Sequence, residues 1–230
     1  LCGKMLADMG ADVVQVEHPA GNTARRIAPF YNDDPHPEKS LFWWSYSSNK
    51  RSITLNLASV DGRELFKQLV ATAHFLVESF PPGHMKELGL GYDTLMAINP
   101  GLVMVSITPF GQDGPYAYHH ASDLSGTAMG GLIYLTGDSD RPPVRIGFPQ
   151  FYLLGSAGAA VGAMIAHTYR SVSGKGQHVD VSCQQAVAKS LSQAPQSWDI
   201  DLEVPEQERI RIAQEKPVFL IFFRREISLF

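Results

Sequence analysis

A segment crowded with glycine and alanine, residues 147–182, constrains the fold of this chain more than any other part of its sequence. It predicts a long helix, then a glycine turn and a β-branched strand with the sequence HVDVS. The small residues recur at every fourth position, as Gly155, Ala159 and Ala163 and again as Gly158 and Gly162. One side of the helix therefore has almost no side chains, so we expect another element to pack closely against it.

The entry to this helix, residues 149–152, contains no Asp, Glu, Ser, Cys or His. Backbone N–H groups at the start of a helix have no partner within the helix and are a place where a ligand can bind. We therefore expect an open helix mouth without a side chain able to act as a nucleophile or a base.

The composition is that of a globular protein with an ample core, since 44% of the 230 residues are hydrophobic and 10% are aromatic. The net charge is −4 and the sequence has no basic stripe, which argues against a nucleic-acid partner. Two cysteines are too few for a disulfide scaffold and have no metal-ligand spacing. We expect no bound metal and a cytoplasmic location.

Residues 146–169 carry no charge and are long enough to cross a membrane. Pro149, Gln150, His167 and four glycines interrupt this run, and no basic cluster flanks it, so a buried helix without membrane contact is favoured. The first residues carry Lys4 and Asp8 within an apolar pattern, which is typical of neither a signal peptide nor a transit peptide.

Short apolar strands alternate with helical patterns along the chain. We predict strands at residues 13–17, 52–57, 74–78, 102–108 and 178–182, with helices between them, for example at residues 1–9, 81–88 and 92–98. This alternation predicts an α/β fold with a doubly wound, mainly parallel, Rossmann-like sheet.

Three further segments carry structural predictions. Residues 33–46 are rich in proline and aromatic residues and are predicted to be irregular. Ser59 is predicted to cap a helix that buries a set of five apolar side chains. These are Leu65, Phe66, Leu69, Val70 and Ala73. After Ala186 the alternation is lost, and residues 217–230 are compatible with either a strand or a helix.

The sequence motifs of several common cofactor and metal sites are absent or incomplete. The glycines do not form G-x-G-x-x-G, and there is no Walker loop, which argues against nicotinamide and nucleotide chemistry. His119 and His120 lie close to Asp123, but no further metal ligands have the required spacing. Asp138 and Asp140 flank a turn, where aspartate is expected for turn geometry alone.

Basic side chains near the strands are candidates for phosphate binding. They are Arg25, Arg26, Lys50 and Arg51. They flank two predicted strands at ends where a doubly wound sheet can meet phosphate groups. Ordinary surface charge is the alternative explanation for each of them.

Several segments taken together resemble the class III CoA-transferases, the family of the formyl-CoA and carnitine CoA-transferases. They are LADMGADVVQVEHPAGNTARR, NKRSITLNL, FPPGHMKELGLGY and RSVSGKGQHVDVS. The resemblance covers residues 1–187 and keeps the order of the family's motifs. It implies a large α/β domain at residues 1–187, followed by a polar linker and an atypical tail at residues 188–230.

The resemblance also implies an assembly. Family members have a Rossmann-like large domain and a smaller domain, and two chains thread through each other as an interlocked dimer. We expect this chain to pair with itself or with another class III chain. The family's first strand and small domain have no counterpart in this sequence, so we expect a fragment.

The family's chemistry is covalent and needs no permanently bound cofactor, because the coenzyme A thioester is itself a substrate. An aspartate attacks an acyl-CoA, forming a mixed anhydride, then an aspartyl-CoA thioester and finally a new acyl-CoA. This aspartate precedes the Arg of the R-x-x-x-G-x-G-Q motif by 18 residues, and counting back from Arg170 gives Tyr152. A phenol is mostly protonated near neutral pH, so the resemblance implies no nucleophile on this chain.

Other carboxylates do not restore the nucleophile. No Asp or Glu lies between Asp140 and Asp180, and Asp123 matches a different position of the family. The related α-methylacyl-CoA racemases use a His and an Asp, which fall on Ser122 and near Tyr152 here. Racemisation is therefore disfavoured.

The resemblance implies a coenzyme A site made of five residues. They are His18, Leu55, Phe80, Lys86 and His120. The family has an arginine where this chain has Glu87 and a lysine where it has His120, so fewer cations face the phosphates. We expect a CoA-transferase polypeptide acting on an acyl-CoA and a carboxylic acid. The alternatives are a non-catalytic partner subunit of a heteromeric enzyme and an inactive fragment.

Overall fold

The computed structural model describes residues 1–138, 140–191 and 193–201. Its helices are α1 (Cys2–Asp8), α2 (Leu41–Ser47), α3 (Val60–Thr72), α4 (His84–Glu87), α5 (Tyr92–Ile98), α6 (Asp123–Met129), α7 (Phe151–Ser173), α8 (Cys183–Ser190) and α9 (Gln193–Asp201). Its strands are β1 (Val13–Glu17), β2 (Lys50–Thr54), β3 (Phe75–Glu78), β4 (Val103–Thr108) and β5 (His178–Ser182). All five predicted strands are present.

All strand pairs are parallel, which confirms the predicted α/β class. The strands divide into a two-stranded sheet, β1 with β2, and a three-stranded sheet in the order β3, β4, β5, rather than one continuous sheet. Strand β4 is central in the second sheet, and Val103 and Val105 are fully buried there. A strand covered on both faces needs the nearly continuous apolar sequence seen in β4.

Helix α7 packs its small-residue side onto the three-stranded sheet and α8, as predicted. A Cβ atom added at Gly155 would overlap the Sγ atom of Cys183. One added at Gly162 would lie 2.9 Å from Cγ1 of Val179. The absence of side chains at these two glycines therefore allows the close approach of α7 to its neighbours.

A second core lies between the sheets and helices α3 to α5. It contains Phe66 and Val70 of α3 with Met85, Leu90 and Leu95. Leu65 and Leu69 were predicted to be buried, but they are 50% and 41% exposed. The prediction was wrong because the buried stripe of α3 runs through Gly62, Phe66 and Val70 at four-residue spacing, and Leu65 and Leu69 lie beside it.

Four of the described helices were not predicted, namely α2, α6, α8 and α9. Helix α2 lies inside the segment expected to be irregular, and its start is stabilised by Ser40, whose Oγ accepts the backbone N–H of Trp43 at 3.1 Å. Helix α6 begins with a capping box between Ser122 and Ser125. Helix α8 spans the predicted domain boundary at residues 187 and 188. The block at residues 217–230 lies outside the described residues.

One helix among the described residues, α7, is long and apolar enough to cross a membrane. Its Ala159, Ala163 and Ala166 are buried with strand residues in the core. A core helix of a globular domain has the same length and composition. Cys2 and Cys183 are both buried and free.

Candidate functional site

The carboxyl ends of the strands carry three of the residues that the resemblance assigns to coenzyme A. His18 directly follows β1, Leu55 directly follows β2, and Phe80 lies two residues after β3. In doubly wound folds, ligands bind outside the carboxyl ends of parallel strands. The fold thus places these three residues just after the carboxyl ends of three parallel strands.

The side chains of this set differ in their exposure. Leu55 is partly buried and packs against the core of α3 to α5, whereas Phe80 is exposed and contacts His84, with ring centroids 5.0 Å apart. His18 is exposed, and its Nδ1 accepts the backbone N–H of Ala20 at 3.1 Å. Lys86 lies exposed on α4. The ring of Phe80 and the side chain of Lys86 are thus accessible from solvent.

His120 lies in a different part of the fold from the other four residues that the resemblance assigns to coenzyme A. It is exposed in the loop that leads to α6, next to Ala121, whose carbonyl accepts a hydrogen bond from Tyr152. This loop and the start of α7 therefore meet at a second part of the candidate site.

Strand β1 ends in Glu17, which is only 5% exposed. Its Oε2 and Oε1 accept hydrogen bonds from Nε and Nη2 of Arg25 at 2.8 and 2.9 Å, and Ser52 Oγ donates a further bond. Oε2 also accepts the backbone N–H of Asn22 at 3.1 Å. The hydrogen bonds from Arg25 are the main cause that lowers the pKa of Glu17 to about 2.

This network changes the interpretation of Arg25 as a phosphate ligand. Its guanidinium is held by Glu17, forms an ion pair with Glu38 at 2.8 Å and lies 3.9 Å from the ring of Trp43. The donors of Arg25 are thus used to hold the loop after β1 in place. The sequence does not show this pairing, because spacing along the chain does not determine which carboxylate a cation will meet.

Lys50 and Arg51 lie at the beginning of β2, which is the amino edge of the parallel sheet and not its ligand edge. Lys50 Nζ donates to the carbonyl of Tyr46 at 2.7 Å, and burial lowers the pKa of Lys50. Arg51 Nε donates to Asp12 Oδ1 at 2.9 Å. Neither cation is placed for phosphate binding at the carboxyl edge.

Strand β3 also ends in a buried acid, Glu78, which is 8% exposed. Its Oε2 accepts the backbone N–H of Phe80 at 2.7 Å, and Ser106 lies opposite Glu78 in the parallel register of β3 and β4. Ser106 Oγ also lies 2.9 Å from Nε2 of His178. Burial is the main cause that raises the pKa of Glu78.

The two glutamates were not identified from the sequence, although a signal for them exists. Each is the single acid at the end of an apolar strand, in VVQVE and in FLVE. A charged residue at such a position is buried only when it is paired or hydrogen-bonded, which is a common property of residues near a site.

The start of α7 was predicted to be open, but the structure shows that it is capped by a side chain. Asp123 Oδ1 accepts the backbone N–H of Gln150 at 2.7 Å and that of Phe151 at 3.0 Å. Arg145 Nε lies 3.7 Å from the other oxygen, Oδ2. The carboxylate of Asp123 therefore acts as the cap that residues 149–152 lack, and both of its oxygens are engaged.

Tyr152 is the second residue of α7 and is 47% exposed. Its hydroxyl donates to the carbonyl of Ala121 at 2.8 Å. Burial is the main cause that raises the pKa of Tyr152, so its phenol is protonated at neutral pH. In this geometry Tyr152 is a hydrogen-bond donor that joins α7 to the loop before α6.

Arg170, the first residue of the R-x-x-x-G-x-G-Q motif, lies at the opposite, amino edge of the sheet. Its Nη1 donates to the carbonyls of His74 and Gly101 at 3.1 and 3.4 Å. Arg170 also contributes to the lining of an open pocket of about 400 Å³ with His74 and Asn99. The motif arginine thus connects loops and does not contact the candidate site.

Within residues 1–138, 140–191 and 193–201, no group of three or more His, Cys, Asp or Glu side chains has a geometry that could hold a metal ion. Among the suggested ligands, His119 makes an edge contact with the ring of Tyr116, at a centroid distance of 5.4 Å. Asp123 is the helix cap described above.

The parallel strands and the helices between them place this chain in the class of α/β folds with a Rossmann-like topology. Residues 1–221 match the family described as CoA-transferase family III, and the chain belongs to this family. The resemblance noted in the sequence is thereby confirmed.

Characterised relatives include enzymes and enzyme subunits. The chain is 42% identical to the succinyl-CoA:(R)-benzylsuccinate CoA-transferase subunit BbsE of Thauera aromatica, over 86% of this chain and 48% of the relative. It is 40% identical to the succinyl-CoA–D-citramalate CoA-transferase of Chloroflexus aurantiacus, over 81% of this chain and 46% of that protein. The β subunit of the succinyl-CoA–L-malate CoA-transferase of the same organism is 36% identical over 90% of this chain and 50% of that subunit.

A solved structure agrees with the fold. The crystal structure of a CAIB/BAIF family protein from Brucella suis has a TM-score of 0.83 and 33% identity, covering 90% of this chain and 55% of that structure. The chain therefore spans about half the length of the relatives that it matches.

Proposed function

We propose that this chain carries the coenzyme A-binding large domain of a class III CoA-transferase, which moves CoA between an acyl-CoA and a carboxylic acid. Its membership of the family and the position of His18, Leu55 and Phe80 after three parallel strands support this function. Lys86 and His120 complete the proposed CoA site with donors for the phosphates or the pantetheine chain. Residues 1–187 form the proposed large domain, and a cytoplasmic location fits two free, buried cysteines.

We propose further that the carboxylate that accepts the acyl group comes from a second class III chain. The single observation behind this proposal is the protonated, hydrogen-bonded phenol of Tyr152, the residue that the family resemblance aligns with the nucleophile position. Asp123, the carboxylate at the same helix mouth, is held by two backbone N–H groups and faces Arg145. Two relatives are themselves named as subunits, which supports a heteromeric assembly.

The proposed transfer of CoA needs no cofactor. A carboxylate oxygen of the partner attacks the thioester carbonyl, the C–S bond breaks, and CoA leaves as a thiolate. The thiolate then attacks the aspartyl carbonyl of the anhydride, which forms an aspartyl-CoA thioester and releases the first acid. The acceptor carboxylate attacks this thioester and expels the CoA thiolate, which forms a second anhydride. The thiolate finally attacks the acceptor's acyl carbonyl, which gives the new acyl-CoA and frees the aspartate. This chain contributes by binding CoA and by excluding water from the reacting groups.

The three relatives act on succinyl-CoA and on acids with two carboxylates, according to their names. We therefore propose succinyl-CoA as the first donor to test and C4 or C5 dicarboxylic acids as acceptors. Arg145 is an exposed cation at the helix mouth and is the described residue best placed to meet a distal carboxylate.

The experiment is a reconstituted transfer assay. The purified protein is incubated with succinyl-CoA and an acceptor acid, alone and together with a class III chain that has the nucleophilic aspartate, and new acyl-CoA is measured by chromatography. We expect transfer only in the mixture, and expect it to disappear when the partner's aspartate is changed to alanine. Equal transfer by this chain alone would contradict the partner role, and CoA binding by neither preparation would contradict the proposed function.

A further inference from the structure

Two parallel strands of this protein end in buried glutamates, Glu17 in β1 and Glu78 in β3. The two carboxyl groups differ in whether a cation is paired with them. Glu17 is paired with Arg25, which keeps it ionised. Among the described residues no lysine or arginine forms an ion pair with Glu78, which accepts a hydrogen bond from Phe80 and lies opposite Ser106 in the register of β3 and β4. A buried acid without a cation costs stability, so its presence needs an explanation.

The hydrogen bond that Glu78 accepts from the Phe80 backbone provides an explanation for this buried acid. Its Oε2 accepts the N–H of Phe80 at 2.7 Å, across the point where the chain leaves β3. Pro81 and Pro82 follow and have no N–H, so Phe80 is the last backbone donor before Gly83. This hydrogen bond therefore fixes the start of a loop that has few other ways to attach to the sheet.

Glu78 has polar neighbours on the next two strands. Ser106 of the neighbouring strand lies opposite Glu78 in the parallel register, and His178 of the following strand lies 2.9 Å from Ser106 Oγ. The ring of Tyr92 stacks on His178 with centroids 5.3 Å apart at 20°. One chain of contacts thus runs across three strands and ends at the backbone of Phe80.

The ring of Phe80 points away from this anchor. It is exposed at the ligand edge and lies against His84 at the start of α4, the helix that also carries Lys86. The orientation of Phe80 and the position of α4 relative to β3 both depend on residues 79–83. A fixed Phe80 backbone lowers the entropy cost of ordering this ring and this loop around a ligand.

We infer that Glu78 is a positioning residue for coenzyme A, which acts by holding the backbone of Phe80 so that the Phe80 ring and the loop to α4 are preorganised. This inference rests on the proposed function, because Phe80 is assigned to the CoA site there. Glu78 itself does not touch the reacting atoms.

Two substitutions separate this role from a general contribution to folding. Glu78→Gln keeps a side-chain oxygen that can accept the Phe80 N–H, whereas Glu78→Leu has similar bulk and no acceptor. Replacing a buried acid by leucine removes a desolvated group, so the leucine variant is expected to remain folded. Glu64→Leu, at an exposed site on α3, is the matched control.

The dissociation constant for CoA is measured by calorimetry for the four proteins, and hydrogen exchange by mass spectrometry for peptides that contain Phe80. We expect Glu78→Leu to weaken CoA binding by about tenfold, the loss of one buried hydrogen bond, and to speed exchange in the Phe80 peptides. Glu78→Gln should bind within about twofold of the wild type with slow exchange, and Glu64→Leu should not change either quantity.

The outcomes distinguish the two proposals. Equal CoA binding by wild type and Glu78→Leu, or weak binding by Glu78→Gln as well, would overturn the positioning role while the proposed function stands. A wild-type protein that binds no CoA would contradict the proposed function and this role with it, whatever the exchange rates.

Discussion

The carboxylate of Asp123 accepts the backbone N–H of Phe151 at 3.0 Å, so a side chain from α6 caps the first turn of α7. The same oxygen accepts the N–H of Gln150. The two residues joined to Asp123 are 27 and 28 positions away in the sequence. These hydrogen bonds therefore join the start of α6 to the start of α7, next to Tyr152.

Replacement of Asp123 by alanine should lower the free energy of unfolding by about 1 to 2 kcal/mol, because two N–H groups at the start of α7 lose their acceptor. Asp123→Asn keeps an oxygen acceptor but not the charge that interacts with the helix dipole, so it should lose about half of that. Urea unfolding of the three proteins measures the difference. Equal stability of the alanine and wild-type proteins would show that the cap does not contribute.

The small-residue side of α7 gives a prediction with an internal control. Gly155→Ala should destabilise the protein by about 1 to 3 kcal/mol, since the new methyl group overlaps Cys183 Sγ in a closely packed contact. At Gly158 a Cβ would lie 3.7 Å from Cβ of Ala186, an ordinary contact. Gly158→Ala should therefore raise the free energy of unfolding by about 0.5 to 1 kcal/mol, because alanine is the better helix former. Thermal and urea unfolding of both variants test this, and a loss of equal size at the two positions would be inconsistent with the packing described.

Glu17 makes the protein sensitive to acid. Its pKa is lowered to about 2 in the folded protein, against 4.5 as the ordinary value, so its contribution is present above about pH 4.5 and is lost as the pH falls towards 2. Glu17→Gln should thus cost about 2 to 4 kcal/mol at pH 7 and much less near pH 2. Unfolding free energies of both proteins across this range provide the measurement. A difference that does not change with pH would rule out the ion pair with Arg25 as its source.

Glu78 should show the opposite dependence on pH. Because burial raises its pKa, the stability that it contributes is present below about pH 4.5 and is lost as the pH rises through the raised pKa. Glu78→Gln does not titrate, so its stability relative to the wild type should increase between about pH 4 and pH 8. The comparison is made by urea unfolding at several pH values. If Glu78→Gln instead became less stable relative to the wild type as the pH rises, the carboxyl group of Glu78 would not be buried without a compensating cation.

Strand and helix positions could be predicted where one periodic pattern dominates. Strands β1 and β5 and helix α5 begin and end at the predicted residues, since alternation and β-branched residues determine them locally. Helix α2 was missed because four of its seven residues, LFWWSYS, are aromatic and the segment has no helical period. A single serine cap stabilises its start.

The contacts that build the candidate site could not be predicted in the same way. Glu78 meets Ser106 and His178 only because of the register of three strands, and Asp123 reaches α7 across a long loop. The pairing of Arg25 with Glu17 depends on the turn after β1. Such contacts between distant residues follow from the tertiary fold, and the family resemblance indicates positions but not partners.

The identity of the residue that carries the acyl group is tested most directly by chemical trapping. This chain and an Asp-bearing class III chain are mixed with succinyl-CoA, quenched with hydroxylamine, and each chain is digested and examined by mass spectrometry. We expect a hydroxamate on the partner's aspartate and none on this chain, and we expect Tyr152→Asp to produce one at residue 152. A hydroxamate on the unaltered chain, at Asp123 or elsewhere, would contradict a non-catalytic, CoA-binding role.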